Sequence, residues 1–260
     1  MFLFKFLFAL IHAPLQLVDG QMPDEGPVYT ETNLNDFIVE PMNTITAIIF
    51  VGIAIYWLMK VGGDFKRYAF MTVITVLLLI GGVGGTLYHA FRSSWYYMMM
   101  DYLPILIIGF FGAMYLMYKL FNSWKIPLAI GFIVSLIEIY VNNFIADPLS
   151  TNLSYLTMAT LVLLPLIVFL RRTHFYHGRM VLYGLLCFIG AISMRFLDPN
   201  PERYFEPVGL HFMWHTFGAG ACFFLFRYFF KIADIELEEG KQWEKWKKIS
   251  ERFQKQHKAN

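Results

Sequence analysis

Charged residues are scarce in this sequence. Only 15% of its 260 residues are Asp, Glu, Lys or Arg, whereas about a quarter of a soluble domain is charged. Hydrophobic residues make up 57% of the chain, and aromatic residues alone make up 18%. This composition excludes an ordinary soluble globular domain and predicts a membrane protein.

The chain also lacks a strong charge of one sign, and it has few cysteines. Its formal net charge is +2, and its one basic cluster, in the carboxyl-terminal tail, is interleaved with glutamates. We therefore expect no nucleic-acid partner. The two cysteines, Cys187 and Cys222, lie within apolar runs, where a thiol behaves as a small buried hydrophobic group. A fold held together by extracellular disulfides is excluded.

Long apolar runs, in contrast, are abundant. Seven stretches are long and apolar enough to cross a bilayer: about 42–59, 68–89, 98–118, 126–144, 153–170, 180–197 and 208–230. Because a backbone in lipid must satisfy its hydrogen bonds within its own segment, each stretch is predicted to be a helix. The connections are short and contain turn residues such as Gly62 and Gly63. The sequence thus predicts an all-α membrane protein, a seven-transmembrane helix bundle.

Lysine and arginine are unevenly distributed between the predicted loops. They concentrate in the first, third and fifth loops, at Lys60, Lys66, Arg67, Lys119, Lys125, Arg171, Arg172 and Arg179. The sixth loop and the segment before the first span are acidic instead. Because positive loops tend to stay in the cytosol, the amino terminus is predicted to face the outside or the lumen. The carboxyl terminus is predicted to be cytosolic.

Three regions follow from this topology. Residues 1–41 form an outer acidic segment, whose apolar start of about 13 residues is too short to span a bilayer. We expect this start to lie at the membrane interface, with a poor signal peptide as the alternative. Residues 42–230 form the seven-helix transmembrane domain. Residues 231–260 form a charged, helical cytoplasmic tail, expected to stabilise the bundle, with a partner-binding role as the alternative.

Four ionisable side chains are predicted at the outer ends of their helices. His211 and His215 are four residues apart on the seventh helix, so about 40° separates them around its axis and they can share a metal ion. His89 ends the second helix, and Asp101 opens the third. Three histidines suit zinc and leave an open fourth position, as in a catalytic site. The alternative is a set of unconnected polar side chains satisfied by backbone carbonyls or lipid headgroups.

Four short motifs accompany these residues in order along the chain. They are Glu40-Pro41-Met42-Asn43-Thr44, Gly84-Gly85-Thr86-Leu87-Tyr88-His89, Asp101-Tyr102-Leu103-Pro104 and His211-Phe212-Met213-Trp214-His215. Together with seven spans, they resemble the membrane hydrolase superfamily of alkaline ceramidases, progestin and adiponectin receptors and Per1-like proteins. The resemblance covers most of the chain from Glu31 onward, and it is strongest to the alkaline ceramidase family.

The resemblance implies a zinc amidohydrolase that acts on linear amides. Its expected reaction is cleavage of the N-acyl bond of ceramide-like sphingolipids to a fatty acid and a long-chain base. His89, His211 and His215 would bind zinc, and Asp101 would activate or orient the zinc-bound water. The active site would face the outside or lumen of a cell membrane or endomembrane, and the partner would be a membrane lipid.

The resemblance also implies that the outer segment binds calcium. Glu40, Glu31 and Asn33 are the candidate ligands, with Asp24 or Asp36 as further candidates. Carboxylate and amide oxygens are the ligands that calcium prefers. The alternative is an acidic outer segment that simply follows the charge distribution expected of an outer loop.

One position departs from the family pattern. The family has a serine four residues before the first histidine, where its hydroxyl can help to hold an oxyanion, but this chain has Gly85 there and Thr86 next. Thr86 is our candidate catalytic donor, although it is rotated by about 100° on the helix, and Tyr88 or another group is the alternative. The departure leaves open hydrolysis of another lipid, an ester or a glycerophospholipid. A non-enzymatic seven-helix receptor or sensor containing zinc is an alternative of a different class.

Overall fold

The structure is a computed structural model that describes residues 22–24, 26–145, 149–198 and 207–233. Within these ranges it contains seven α-helices and no strand. They are α1 (Pro41–Val61), α2 (Ala69–Phe91), α3 (Trp95–Phe121), α4 (Lys125–Phe144), α5 (Leu149–Arg172), α6 (Gly178–Leu197) and α7 (His211–Ile232). Each lies on one of the seven predicted apolar stretches, so an all-helical fold is confirmed. The interfacial start of the chain and the tail beyond residue 233 lie outside the described residues.

Four of these helices are long and apolar enough to cross a membrane. Among the described residues they are α1, α2, α3 and the part of α6 from Gly178 to Arg195. Large apolar side chains on them are exposed, including Ile45, Val73 and Leu186. Such faces are unfavourable in water but are expected against lipid. The four helices therefore indicate a membrane protein.

Local sequence explains where the first two helices begin and end. Pro41 occupies the first turn of α1, where its missing N–H costs no helical hydrogen bond. The helix ends at Val61, and the next residue, Gly62, has the left-handed φ of 60° that favours glycine. The residue after α2, Arg92, is also left-handed, with a φ of 47°, and its amide donates to the carbonyl of Tyr88 at 2.8 Å. The chain therefore leaves the helix at Arg92.

The chain divides into two compact units. The described part of the first unit comprises residues 22–24, 26–108, 177–198 and 207–233, and every candidate site residue lies in it. Within this unit α1 packs on α2 and α7, and α6 packs on α7. Its core includes the buried side chains of Trp57, Ile74, Leu78, Phe226 and Tyr228.

The second unit comprises the described residues 109–145 and 149–176. In it α4 packs on α5. Ala113, Met114 and Met117, from the second half of α3, form a buried cluster with Leu161 of α5. No candidate site residue lies in this unit.

Candidate metal centre

His89, His211 and His215 converge in the first unit. Their potential ligand atoms all lie within 4.8 Å of one another, and the three side chains are buried. The ring of His89 lies 5.2 Å from that of His211 and 4.8 Å from that of His215, and the rings of His211 and His215 are 4.7 Å apart. The predicted convergence of the three histidines is therefore confirmed, and the cluster can hold a metal ion.

Backbone hydrogen bonds join the start of α1 to the end of α2. The amide of Val39 donates to the carbonyl of Ala90 at 2.9 Å, and the amide of Glu40 donates to the carbonyl of His89 at 3.1 Å. These carbonyls belong to the last turn of α2, where helical partners are missing. Glu40 is consequently held directly beside the imidazole of His89.

Two histidines have their Nδ1 atoms fixed by groups near the start of α1. The Nδ1 of His89 lies 2.5 Å from Oε2 of Glu40, and the Nδ1 of His215 lies 3.1 Å from the carbonyl of Asn43 and 3.2 Å from the hydroxyl of Thr46. When Nδ1–H donates to an oxygen, Nε2 keeps a lone pair for a metal. The Nε2 of His89 is buried and has no hydrogen-bond partner among the described residues. This is the arrangement expected of metal-binding imidazoles.

His211 is held mainly by an aromatic contact. Its ring stacks on that of Tyr29, with centroids 3.8 Å apart and planes 29° apart. Its Nδ1 lies 3.9 Å from Oδ2 of Asp198, too far for a hydrogen bond, and has no other partner in the described part of the chain. Oδ1 of Asp198 accepts a 3.0 Å hydrogen bond from the amide of Leu210. Asp198 therefore fixes the start of α7, and with it both histidines.

The buried side chain of Arg92 forms an ion pair with Glu40. The guanidinium of Arg92 donates through Nη1 to Oε1 of Glu40, and it forms a bidentate pair with Asp24 at 2.5 and 3.0 Å. Burial alone would raise the pKa of Glu40, but the hydrogen bond with His89 and the charge of Arg92 outweigh it, so this pKa lies below its ordinary value. Glu40 is therefore an ionised partner of His89 at neutral pH.

Gly84 and Gly85 of α2 have no side chain, and this allows Met100 and Asp101 to pack closely against the helix near His89. A Cβ at Gly84 would overlap Met100, and one at Gly85 would overlap the Oδ1 atom of Asp101. Gly85 precedes His89 by four residues, so both lie on the same face of α2. The Asp101 carboxylate also interacts electrostatically with His89. Asp101 thus occupies the space where a side chain at position 85 would stand.

Thr86 is less favourably arranged for its predicted role. Its hydroxyl donates a 2.7 Å hydrogen bond to the carbonyl of Gly82, one turn earlier in α2. Thr86 would have to break this bond before it could donate to an oxyanion. The hydroxyl of Tyr88, in contrast, is buried and has no hydrogen-bond partner among the described residues. The role of Thr86 stays a prediction.

The candidate calcium ligands have other partners in this structure. Oε1 and Oε2 of Glu31 accept hydrogen bonds from the amides of Asn43 and Met42 at 2.7 and 2.9 Å, at the start of α1. Asn33 donates to Asp36 at 3.0 Å. Each carboxylate oxygen of Glu40 faces two donors: Thr32 and Arg92 at Oε1, and Asn43 and His89 at Oε2. Calcium binding by these residues stays a prediction.

Two residues of the site, Tyr29 and Arg92, are not among those predicted from the sequence. For Arg92 a signal exists, because an isolated arginine three residues after a predicted metal ligand, near an acidic segment, indicates a buried ion pair. Tyr29 carries no such signal, because nothing in its neighbourhood in the sequence relates it to α7.

We compared the whole chain with known proteins. No protein-family model matches it, and no curated protein matches it significantly either.

Proposed function

We propose that this protein is an intramembrane zinc-dependent hydrolase that cleaves the N-acyl amide bond of ceramide-like sphingolipids. We further propose that its seven helices all cross the membrane, with the amino terminus and the active site on the outer or lumenal side. The observation that carries the proposal is the buried cluster of His89, His211 and His215, with the carboxylate of Asp101 packed on the same face of α2 as His89.

The donor set fits zinc. Three imidazoles are the ligands of many catalytic zinc sites, which keep a fourth position for water or substrate. The surrounding charges also suit a divalent cation. Asp24 and Glu40 carry two negative charges and Arg92 carries one positive charge, so the three side chains together have a net charge of about −1. Zinc at such a site would act as a Lewis acid on the substrate carbonyl and would make water reactive at neutral pH.

Other residues would orient the histidines and transfer protons during the reaction. Glu40 and the carbonyl of Asn43 orient His89 and His215 through their Nδ1 atoms. Asp101 would take a proton from the attacking water and deliver it to the amide nitrogen as the C–N bond breaks. The acyl carbon then keeps the hydroxyl of that water, and the products are a fatty acid and a long-chain base.

The test is product analysis on the purified protein. Wild type loaded with zinc is incubated with a panel of ceramides, N-acyl amines, lipid esters and glycerophospholipids, and released fatty acids and amines are identified by mass spectrometry. We expect release from ceramides, and a loss of about 100-fold or more in the Asp101→Asn variant with zinc content retained. Asp64→Asn, which changes an exposed carboxylate in the loop after α1, is the matched control.

Three outcomes would contradict the proposal in different ways. A wild-type protein that binds no zinc would remove the metal centre itself. Zinc binding with release of fatty acid only from esters or glycerophospholipids would replace the substrate class. Zinc binding without release from any lipid would favour the receptor or sensor.

A further inference from the structure

We infer that Arg92 is a built-in cation that takes the place expected for calcium and fixes the outer segment to the metal centre. This inference requires only that the three histidines bind a metal, and it does not depend on which lipid is hydrolysed. It arises from a disagreement: two of the residues considered as calcium ligands, Asp24 and Glu40, both bind the guanidinium of Arg92 instead.

The guanidinium occupies an oxygen-lined site of the kind that a hard cation would use. Nε and Nη2 donate to the two carboxylate oxygens of Asp24, Nη1 donates to Glu40, and Nη2 also donates to the carbonyl of Pro27 at 2.9 Å. The rings of Tyr88 and Tyr29 lie 4.8 and 5.6 Å from the guanidinium carbon. Carboxylates and a carbonyl are calcium ligands, but here planar N–H donors fill the space between them.

Because Asp24 and Glu40 are buried, their carboxylates require a cation beside them. The side chains of Arg92, Asp24 and Glu40 are all inaccessible to solvent. Two buried carboxylates without a cation would be strongly unfavourable, so the position cannot be left without a positive charge. With Arg92 present, a divalent cation would have to displace a bidentate pair and would add two further charges. The chain has therefore no need of calcium at this place.

The same arginine is connected to the metal centre through one residue. Glu40 receives Arg92 on Oε1 and His89 on Oε2. On the other side, Asp24 and Pro27 belong to the outer segment, which also carries the Tyr29 ring that stacks on His211. Arg92 is thus a positioning residue: it orients the partner of one histidine and anchors the segment that packs on another.

The first test uses the wild-type protein and calcium alone. Zinc affinity, measured by competition with a chromogenic chelator selective for zinc, and thermal unfolding are compared in excess calcium and in a calcium-free buffer. We expect both quantities to be the same in the two buffers. A rise in zinc affinity or in unfolding temperature with added calcium would overturn the inference, because calcium would then bind despite Arg92.

The second test removes the guanidinium group of Arg92 by mutation and then supplies free guanidinium in solution. Arg92→Ala is expected to lose zinc affinity by about 10- to 100-fold, as is usual when the partner of a metal-binding histidine is disturbed. Free guanidinium, at concentrations far below those that unfold proteins, should restore much of this affinity. Arg179→Ala, an exposed arginine in the first turn of α6, should show neither effect.

Unchanged zinc affinity in Arg92→Ala, or a loss that guanidinium does not restore, would overturn the inference. Should Arg92→Ala fail to fold, Arg92→Lys supplies the variant. Lysine keeps the charge but cannot donate to both carboxylates in the fixed geometry of a guanidinium, so we expect a smaller but measurable loss of zinc affinity. An Arg92→Lys protein with the affinity of wild type would show that charge alone suffices and would overturn the positioning role.

Discussion

Gly84 and Gly85 are neighbours in α2, but an added methyl group would meet a different obstacle at each. At Gly84 it would overlap the backbone of Met100, which cannot move without shifting α3. At Gly85 it would overlap mainly the end of the Asp101 side chain, which can rotate. We expect Gly84→Ala to lower the free energy of unfolding by about 1–3 kcal/mol. We expect Gly85→Ala to lower it less and to reduce the proposed hydrolysis more, because the Asp101 carboxylate is displaced.

Gly52 of α1 provides the control for this pair, because a Cβ there would meet nothing within 4 Å. Gly52→Ala should leave unfolding temperature and hydrolysis nearly unchanged. Gly85→Ser is expected to behave as Gly85→Ala does, because its Cβ would also overlap the Asp101 carboxylate. Full activity in Gly85→Ala would show that the position of the Asp101 carboxylate does not matter for the reaction.

Tyr29 is predicted to position His211 through its ring rather than through its hydroxyl. The two rings stack at 3.8 Å, and burial raises the pKa of Tyr29, so its phenol is neutral at physiological pH. Tyr29→Phe keeps the stacked ring and should retain zinc affinity. Tyr29→Ala removes it and should weaken zinc binding by up to about 10-fold, the equivalent of one aromatic contact. Equal losses in both variants, measured by chelator competition, would assign the effect to the hydroxyl.

The residues that could be predicted from sequence are those with a local pattern. His211 and His215 share a helix face by their spacing, and His89 follows from the end of an apolar run, so their convergence could be expected. Arg92 and Tyr29 act through contacts that join distant parts of the chain: Arg92 binds Asp24, 68 residues away. Periodicity carries no information about such contacts, which is why the surroundings of the histidines could not be predicted.

At the scale of elements, the start of α1 is the part on which the metal centre most depends. The carboxylate of Glu31 accepts hydrogen bonds from the amides of Met42 and Asn43, and the carbonyl of Asn43 binds His215. Glu31 thus caps a helix whose first turn contacts His215, a candidate metal ligand, and a carboxylate is favourable at a helix amino terminus. The cap comes from a preceding loop, since the residue next to the helix, Glu40, is engaged with His89 and Arg92.

Glu31→Ala is therefore expected to lower the free energy of unfolding by about 1 kcal/mol, the usual cost of a lost cap. Thermal unfolding in detergent, with and without calcium, would measure it. The cap predicts the same loss in both conditions, whereas a calcium ligand at this position would give a loss only when calcium is present. Asn35→Ala, a change at an exposed residue of the same segment that is not a candidate calcium ligand, is the control.

The seven helices could be predicted because each apolar run is long and is bounded by turn residues or charges. The structure extends α1, α3 and α5 beyond both predicted ends, as in α3, which begins at Trp95 rather than near residue 98, whereas α7 begins at His211 rather than near residue 208. Such ends depend on caps and on neighbouring segments rather than on hydropathy. The close approach of α3 to α2 at Gly84 and Gly85 was likewise beyond prediction, because glycines in a helix have several uses.

At the scale of the whole molecule, the positions of charges bear on how the chain lies in the membrane. The buried ion pairs of Asp24, Glu40 and Arg92 lie at the start of α1 and the end of α2, whereas Lys60, Lys66 and Arg67 follow the other end of α1. The 21 residues of α1 span about 31 Å, which matches the hydrocarbon core of a bilayer. The two ends of α1 would then lie at opposite membrane surfaces, and the metal centre would lie near the one with fewer positive loops.

This arrangement predicts which side of the membrane each loop faces. Asp36 precedes α1 and Lys66 follows it, and both are exposed. In a chain whose two native cysteines are replaced by alanine, a membrane-impermeant maleimide applied from the outer or lumenal side should label Asp36→Cys. Lys66→Cys should be labelled only after the membrane is opened, because the positively charged first loop is expected in the cytosol. Labelling of both before opening would remove α1 as a span, and the reverse pattern would place the histidine cluster at the cytosolic surface.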